Sequence, residues 1–249
     1  MSRNFLRPIV AALMLLVGPQ VAAAQTGDEI IDKTITALGG RVALGKITSR
    51  LASGSITIGT PVGNVDGTVE IAYAVPNKMR TLTKAKVPLA GQLVIDQRFD
   101  GKTGYVLDSL RGNRDITGNQ LDNLRNGTFP HPLFNYKELG STARLVGKEK
   151  VGDRDAFVVL LTPTKGSEVR YYLDAETYLP LKSVARIQAP SGQEGEQTNE
   201  FGDFRVVDGI KVAFRQKSSS PVQTFSMQLT KVENNVAIDE ALFSKPATQ

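Results

Sequence analysis

The sequence has no cysteine and no tryptophan, and it has only one histidine. Without cysteine there can be no disulfide, no thiolate nucleophile and no Cys-ligated metal. Nor is there a cysteine after a leader to carry a bacterial lipid anchor. The lone histidine, His131, makes an HExxH zinc helix impossible and leaves a His-based metal site without support. It lies between two prolines in Phe129-Pro130-His131-Pro132, and no G-x-S-x-G elbow exists for it to serve as a base. A structural or surface role is the reading for this loop histidine. After residue 24 no stretch approaches the roughly 18 uncharged apolar residues of a membrane span, so an integral membrane protein is not expected. The formal charge, +5 for the whole sequence and +3 without residues 1–24, is too small to argue for nucleic acid.

The first 24 residues read as a secretory leader. Arg3 and Arg7 supply the positive start, Ile9 to Val17 form a short apolar run, and Ala22-Ala23-Ala24 gives small residues for cleavage before Gln25. Removing residues 1–24 takes away those two arginines and no acid, which lowers the formal charge from +5 to +3. An exported chain without disulfides must be held by its core, and the remaining 225 residues suffice for one domain. Export without an anchor predicts a bacterial periplasmic protein, and a monomer is expected.

Asp28 to Leu38 places Ile30, Ile31, Ile35 and Leu38 on one stripe of a helix, with Asp28 and Glu29 in its first turn and Gly39-Gly40 ending it. A short helix at Arg41 to Lys46, another at Thr117 to Arg125 and a final turn capped by Asp239 are also expected. Elsewhere the period is two. Ile56 and Ile58, Val69 to Tyr73, Val169 to Leu173, Ile210 to Phe214 and Phe225 to Leu229 each alternate with polar or small neighbours, as half-buried antiparallel strands do. Gly63-Asn64, Pro76-Asn77, Asp100-Gly101, Gly152-Asp153 and Asp208-Gly209 mark turns between them. Residues 190–197 (PSGQEGEQ) read as a polar loop. The predicted fold class is α+β, mostly β: a curved antiparallel sheet of about ten strands whose concave side is covered by the N-terminal helix and shorter ones. The space between them is either packed solid or a cavity.

Candidate chemistry is sparse. Gly140 to Lys148 mimics a phosphate loop, but six residues separate the glycines and Glu149 follows the lysine, so a strand over Ala143 to Val151 fits better. The carboxylate pair Asp174 and Glu176 falls in Tyr172-Leu173-Asp174-Ala175-Glu176-Thr177, where two strands meet. Catalytic pairs need partly buried, differing environments. Asp in such a place caps its own turn, and Pro180 then limits the returning strand to an edge or a bulge. The turn reading is preferred. No catalytic constellation, metal or cofactor is expected, and the chain is not expected to be an enzyme.

Several segments, in order, span nearly the whole mature chain: Ala37-Leu38-Gly39-Gly40, Val75 to Arg80 (VPNKMR), Phe99 to Tyr105 (FDGKTGY), Tyr172 to Thr177, Phe204 to Lys211 (FRVVDGIK) and Ile238 to Phe243 (IDEALF). As a set they resemble the LolA/LolB-like bacterial periplasmic carriers that sort outer membrane lipoproteins. The resemblance implies an unclosed half β-barrel with lid helices over a hydrophobic cavity that receives acyl chains. It implies an acylated lipoprotein or other lipid as ligand, and inner- and outer-membrane sorting complexes as partners. The expected cavity residues are Met79, Leu82, Leu93, Ile95, Tyr105, Phe134 and Tyr172, with ordinary core packing the alternative for each. Three departures stand out. Where the classical carrier has a lid-holding arginine before the strand-ending proline, this chain has Val75; it has no tryptophan, whereas the classical carriers use aromatics freely around the cavity; and its mature chain is longer than theirs. The competing reading is a non-catalytic envelope sensor or accessory module of the same fold that binds a protein partner at an edge or apolar patch.

Overall fold

A computed structural model describes residues 25–60, 63–88, 91–188, 194–221 and 223–246. The leader expected at residues 1–24 lies outside these, as do residues 190–193 of the expected polar loop. That loop's second half, from Glu194, instead opens a strand.

Among the described residues three helices, α1 (Gly27–Ala37), α2 (Arg41–Gly45) and α3 (Gly118–Asn126), accompany thirteen strands. The strands are β1 (Ser49–Thr60), β2 (Gly63–Ala74), β3 (Lys78–Val87), β4 (Gly91–Phe99), β5 (Gly104–Asp108), β6 (Arg114–Ile116), β7 (Thr142–Val151), β8 (Arg154–Thr162), β9 (Val169–Asp174), β10 (Pro180–Gln188), β11 (Glu194–Val207), β12 (Ile210–Ser219) and β13 (Thr224–Asn234). All belong to one antiparallel sheet in the order β6-β5-β4-β3-β2-β1-β13-β12-β11-β10-β9-β8-β7. The count exceeds the ten expected, because short strands such as β5 and β6 carry too few residues to show a period. The last strand pairs with the first, so β1 and β13 form the middle of the sheet and β6 and β7 its two free edges. The sheet is an unclosed half-barrel.

Helix α1 forms where its sequence stripe predicts. Thr26 caps it through a reciprocal box: Thr26 Oγ1 accepts from the Glu29 N–H at 3.2 Å, and Glu29 Oε2 accepts from the Thr26 N–H at 2.9 Å. Ile30, Ile31, Ile35 and Leu38 are all within 2% of complete burial against the sheet. At roughly 1.5–3 kcal/mol per buried aliphatic side chain, the stripe supplies about 6–12 kcal/mol of gross burial. The helix end is tied down as well, since Leu38 O accepts from the Lys211 N–H at 2.8 Å. Gly39 adopts φ +129°, and a Cβ there would lie 2.6 Å from Gly209 O, so only glycine lets the chain pass this close. At the other end Asp28 accepts from Tyr136 Oη at 2.6 Å and pairs with Lys137 at 2.7 Å. Those contacts pin segment 127–141 to the helix; its Phe129, Leu133 and Tyr136 are buried in the same core.

Helix α3 behaves differently. None of its residues is buried, and polar bonds hold it between the two wings of the sheet. On one side Arg125 Nη2 donates to Lys102 O at 3.1 Å. On the other, Asn119 and Asn123 reach Ser167 Oγ at 3.0 and 3.3 Å, and Asn126 Nδ2 donates to Lys165 O at 2.8 Å. A strap with little apolar burial opens at low cost relative to the core.

The expected final turn is a 3₁₀ turn, Glu240–Leu242, with Asp239 Oδ1 accepting from the Ala241 N–H at 2.9 Å. It lies on the convex face, where Phe243 is buried and Arg98 Nη1 donates to Ser244 O at 3.1 Å. Pro180 is the first residue of β10, an interior strand, and a bulge between Pro180 and Lys182 accommodates it.

Candidate functional site on the concave face

Residues directly opposite one another in an antiparallel ladder point to the same face. The register therefore assigns every strand residue to the α1-bearing concave side or to the convex side. On β1 the inward positions are Arg50, Ala52, Ile56 and Ile58; on β2 they are Val65, Val69, Ile71 and Tyr73. Pairing carries this face across to Met79, Thr81, Thr83 and Ala85 on β3, then to Leu93, Ile95, Gln97 and Phe99 on β4. On β13 it continues through Phe225, Met227 and Leu229.

Of the seven expected cavity residues, Met79, Leu93 and Ile95 share this concave face. Phe134 joins them from segment 127–141, packed on the core with the Arg41 guanidinium 5.8 Å from its ring centre. The other three stand on the convex side. Leu82 lies in the row of Glu70 and Asp96, and Tyr105 in the row of Arg80 and Arg98, with Lys245 Nζ 4.4 Å from its ring centre. Tyr172 belongs to a separate outer cluster with Ala156, Val158 and Val184. The reason is the pleat. Tyr171 and Leu173 alternate with Tyr172, and they are the pair that faces α1. Apolar character placed Tyr172 among the candidates, while its position in the alternation puts it outside.

The concave side has two parts. Beneath α1 the space is filled: Ile30, Ile31, Leu133, Val159 and Leu173 expose 0% of their surface, so none borders a void that water could enter. Away from α1, over β1–β4 and β13, the inward Val87, Ile95, Phe225 and Met227 are only half-buried. These are interior strands with both backbone edges paired, so the exposed parts of these side chains lie on the concave face or at the strand ends, where Val87 and Phe225 stand. Apolar side chains on the first wing and central strands thus form a strip whose middle, Ile58, Val65 and Val69, is buried and whose flanks, Val87, Ile95, Phe225 and Met227, are half-exposed.

An arginine is buried on the same face, at the end of these strands away from Val87 and Phe225. Arg50 is 9% exposed; its Nε donates to Asn234 Oδ1 at 2.8 Å, and its guanidinium lies 5.2 Å from the Phe129 ring centre. Phe129 in turn stacks on Tyr73, with centroids 5.5 Å apart and planes within 8°. Burial pulls the Arg50 pKa down to about 10, and Nη2 has no hydrogen-bond partner among the described residues. Val75, in the turn after β2, is 41% exposed. The guanidinium under segment 127–141 comes from β1. Periodicity could not reveal this, because Arg50 occupies an inward position that should be apolar. His131 sits in the same segment, half-buried, and its Nδ1 accepts from the Leu133 N–H at 3.1 Å. Burial, and then the Arg50 charge, push its pKa down to about 4.

The Asp174–Glu176 pair is a turn. Asp174 is 1% exposed, and its Oδ1 accepts from the Glu176 and Thr177 N–H groups at 3.2 and 2.7 Å and from Thr177 Oγ1 at 2.8 Å. Arg154 Nε lies 2.8 Å from the other carboxylate oxygen. Burial pushes the Asp174 pKa up, but the Thr177 donors and the Arg154 charge outweigh it and hold the carboxyl below its ordinary value. Glu176 is exposed, and only its backbone N–H joins this network. The two carboxylates have different environments, yet Oδ1 of Asp174 is spent on the turn and Oδ2 on Arg154 of β8.

The convex face carries a groove of about 630 Å³ between β13, β1, β2 and the 3₁₀ turn, bordered by Leu51, Glu70, Ala72, Arg80 and Leu242. Beside it Arg80 and Arg98 both pair with the buried Asp96, at 2.8 and 2.7 Å.

No protein-family model and no curated relative matches the sequence. Solved structures do match in fold. A DUF1329 family protein from Desulfovibrio piger superposes with a TM-score of 0.56 at 12% identity, over 88% of this chain and 97% of that one. A LolA superfamily protein from Nitrosomonas europaea gives 0.55 at 15% identity, over 89% and 99%. A candidate outer membrane lipoprotein-sorting protein domain from Vibrio parahaemolyticus gives 0.55 at 14% identity, over 87% and 95%. The chain has the LolA-like fold.

Proposed function

We propose that the protein is a periplasmic carrier or binding protein that shelters the acyl chain of a lipoprotein or related lipid on its concave face. The observation that carries this reading is the inward, apolar, half-exposed strip of Val87, Ile95, Phe225 and Met227 on interior strands. These half-exposed side chains flank the buried Ile58, Val65 and Val69 and so extend the core as an apolar margin against which an alkyl chain can lie. At about 25 cal/mol per Å², burying 200 Å² of apolar surface against an alkyl chain is worth about 5 kcal/mol without any polar contact. The likeness to a candidate lipoprotein-sorting domain and the leader-like residues 1–24 support the same reading. No helix among the described residues is long and apolar enough to cross a membrane. The α3 strap, polar and unburied, is the element suited to move aside for loading.

The test is mass spectrometry of organic extracts from the purified protein, followed by titration of the delipidated form with a fluorescent fatty-acyl probe. Co-purifying acyl lipid or lipopeptide and saturable probe binding are expected. A protein that arrives empty and ignores the probe would end the carrier reading.

One observation favours a second reading, a partner-binding module of the same fold. The space under α1 is already filled, and the groove beside the 3₁₀ turn offers both apolar and charged groups. Under that reading Arg80→Glu removes function while leaving acyl-probe binding unchanged.

A further inference from the structure

The concave surface changes chemistry between its wings. On the halves of β10, β11 and β12 away from α1, the inward positions are Ser183, then Gln197 and Asn199, then Gln216 and Ser218. Register fixes this: Ser183 lies opposite the core residue Tyr171 and opposite Asn199, Asn199 opposite Ser218, and Gln216 and Ser218 opposite Met227 and Phe225. The outward positions of the same wing carry the apolar cluster of Ala156, Val158, Tyr172 and Val184. Polarity is thus inverted relative to a sheet that simply buries its apolar face.

The wall is neutral. None of those five side chains is ionisable, and four of them are half-buried while Ser183 is buried. They are loosely knitted: Gln197 Nε2 donates to Ser218 Oγ at 3.2 Å and to Asn199 Oδ1 at 3.4 Å, and Asn199 Nδ2 donates to Ser183 Oγ at 3.4 Å. Each carboxamide has two N–H donors and an oxygen with two lone pairs, so capacity remains beyond these long bonds. Half-buried rings flank the wall on the same face, Phe201 opposite Gln216 and Phe225 opposite Ser218.

We propose that this wall receives an uncharged, hydroxyl-rich head group, a glycosyl or polyol unit, of an amphiphile whose alkyl chain lies along the apolar strip. The inference rests on the carrier reading and names its ligand class. Hydroxyl groups need donors and acceptors side by side, which Asn, Gln and Ser supply. Aromatic faces at the flanks suit the C–H edges of a sugar ring. An anionic head would call for an arginine or lysine in the wall, and none is there. A peptide would be read by an unpaired strand edge, whereas β10, β11 and β12 each have both neighbours.

The experiment compares four amphiphiles of one chain length below their critical micelle concentrations: an alkyl glucoside, the alkyl alcohol, the alkyl phosphate and an acylated dipeptide. Titration calorimetry on the delipidated full chain is expected to rank the glucoside at least tenfold tighter than the phosphate and the acyl dipeptide. The double variant Asn199→Leu/Gln216→Met should lose about tenfold for the glucoside and keep its affinity for the alcohol. If that double variant does not fold, Asn199→Asp, which keeps the shape and removes the donor, should show the same selective loss. Equal affinity for all heads, a preference for the phosphate or the dipeptide, or a glucoside affinity indifferent to these variants overturns the proposal and leaves the carrier reading standing. Failure of all four to bind overturns both.

Discussion

Replacing Asp174 by alanine tests whether the most suggestive carboxylate in the sequence serves the fold or a reaction. The substitution removes the acceptor of two backbone N–H groups and one hydroxyl in a site that is 1% exposed. Leaving a buried donor unpaired costs about 1–3 kcal/mol, and hydrogen bonds to a charged acceptor sit at the upper end of the usual range. Arg154 is half-exposed, so its ion pair adds no more than about 1 kcal/mol. The expected total is about 3 kcal/mol. For a domain of this size that lowers the melting midpoint by roughly 6–12 °C. Asp174→Asn keeps one acceptor oxygen and should cost about 1 kcal/mol, and Glu176→Gln should cost almost nothing. The double variant Asp174→Asn/Glu176→Gln should bind any acyl ligand as the parent does. The assays are urea denaturation and acyl-probe titration on the same preparations. Because the folded Asp174 pKa lies below its unfolded value, its contribution is present above about pH 4 and is lost as pH falls through the folded value. A fully stable Asp174→Ala protein that had lost its function would refute the turn assignment and put the carboxylate in a reaction.

Two further predictions follow from close contacts and burial. Gly54 sits at the β1–β13 bulge, where an added Cβ would lie 2.1 Å from Gln228 O, so Gly54→Ala should destabilise by about 2–3 kcal/mol in urea denaturation; an unchanged midpoint would mean the central pairing is looser than described. His131 is held neutral, with its folded pKa of about 4 below the unfolded value near 6.5. Its contribution is therefore full above about pH 6.5 and drains away as pH falls toward 4, with a ceiling of about 3 kcal/mol. His131→Gln should flatten the pH dependence of the urea midpoint between pH 7 and 4.5, and an identical slope in both proteins would contradict the assignment.

The helices and most of the strands were legible because their signals are local. The stripe of Ile30, Ile31, Ile35 and Leu38 repeats at the helical period, and a buried α1 is the only arrangement that satisfies it. The Asp174 turn and the Asp239 cap were readable for the same reason, since each carboxylate bonds to backbone within three residues of itself. The candidate site was less accessible. Apolar character alone selected Leu82, Tyr105 and Tyr172, and all three project from the convex side.

From the sequence alone came the β-rich class, the covering helix, the capped turns and the absence of cysteine, because each depends on residue type or on neighbours a few positions apart. Tertiary structure decided which side of each strand is concave, that β13 pairs with β1, that Arg50 lies beneath segment 127–141, and that amides line the wing opposite the apolar strip. A period of two says which residues share a side of one strand. It takes pairing between strands distant in sequence, with their bulges, to say whether that side looks inward.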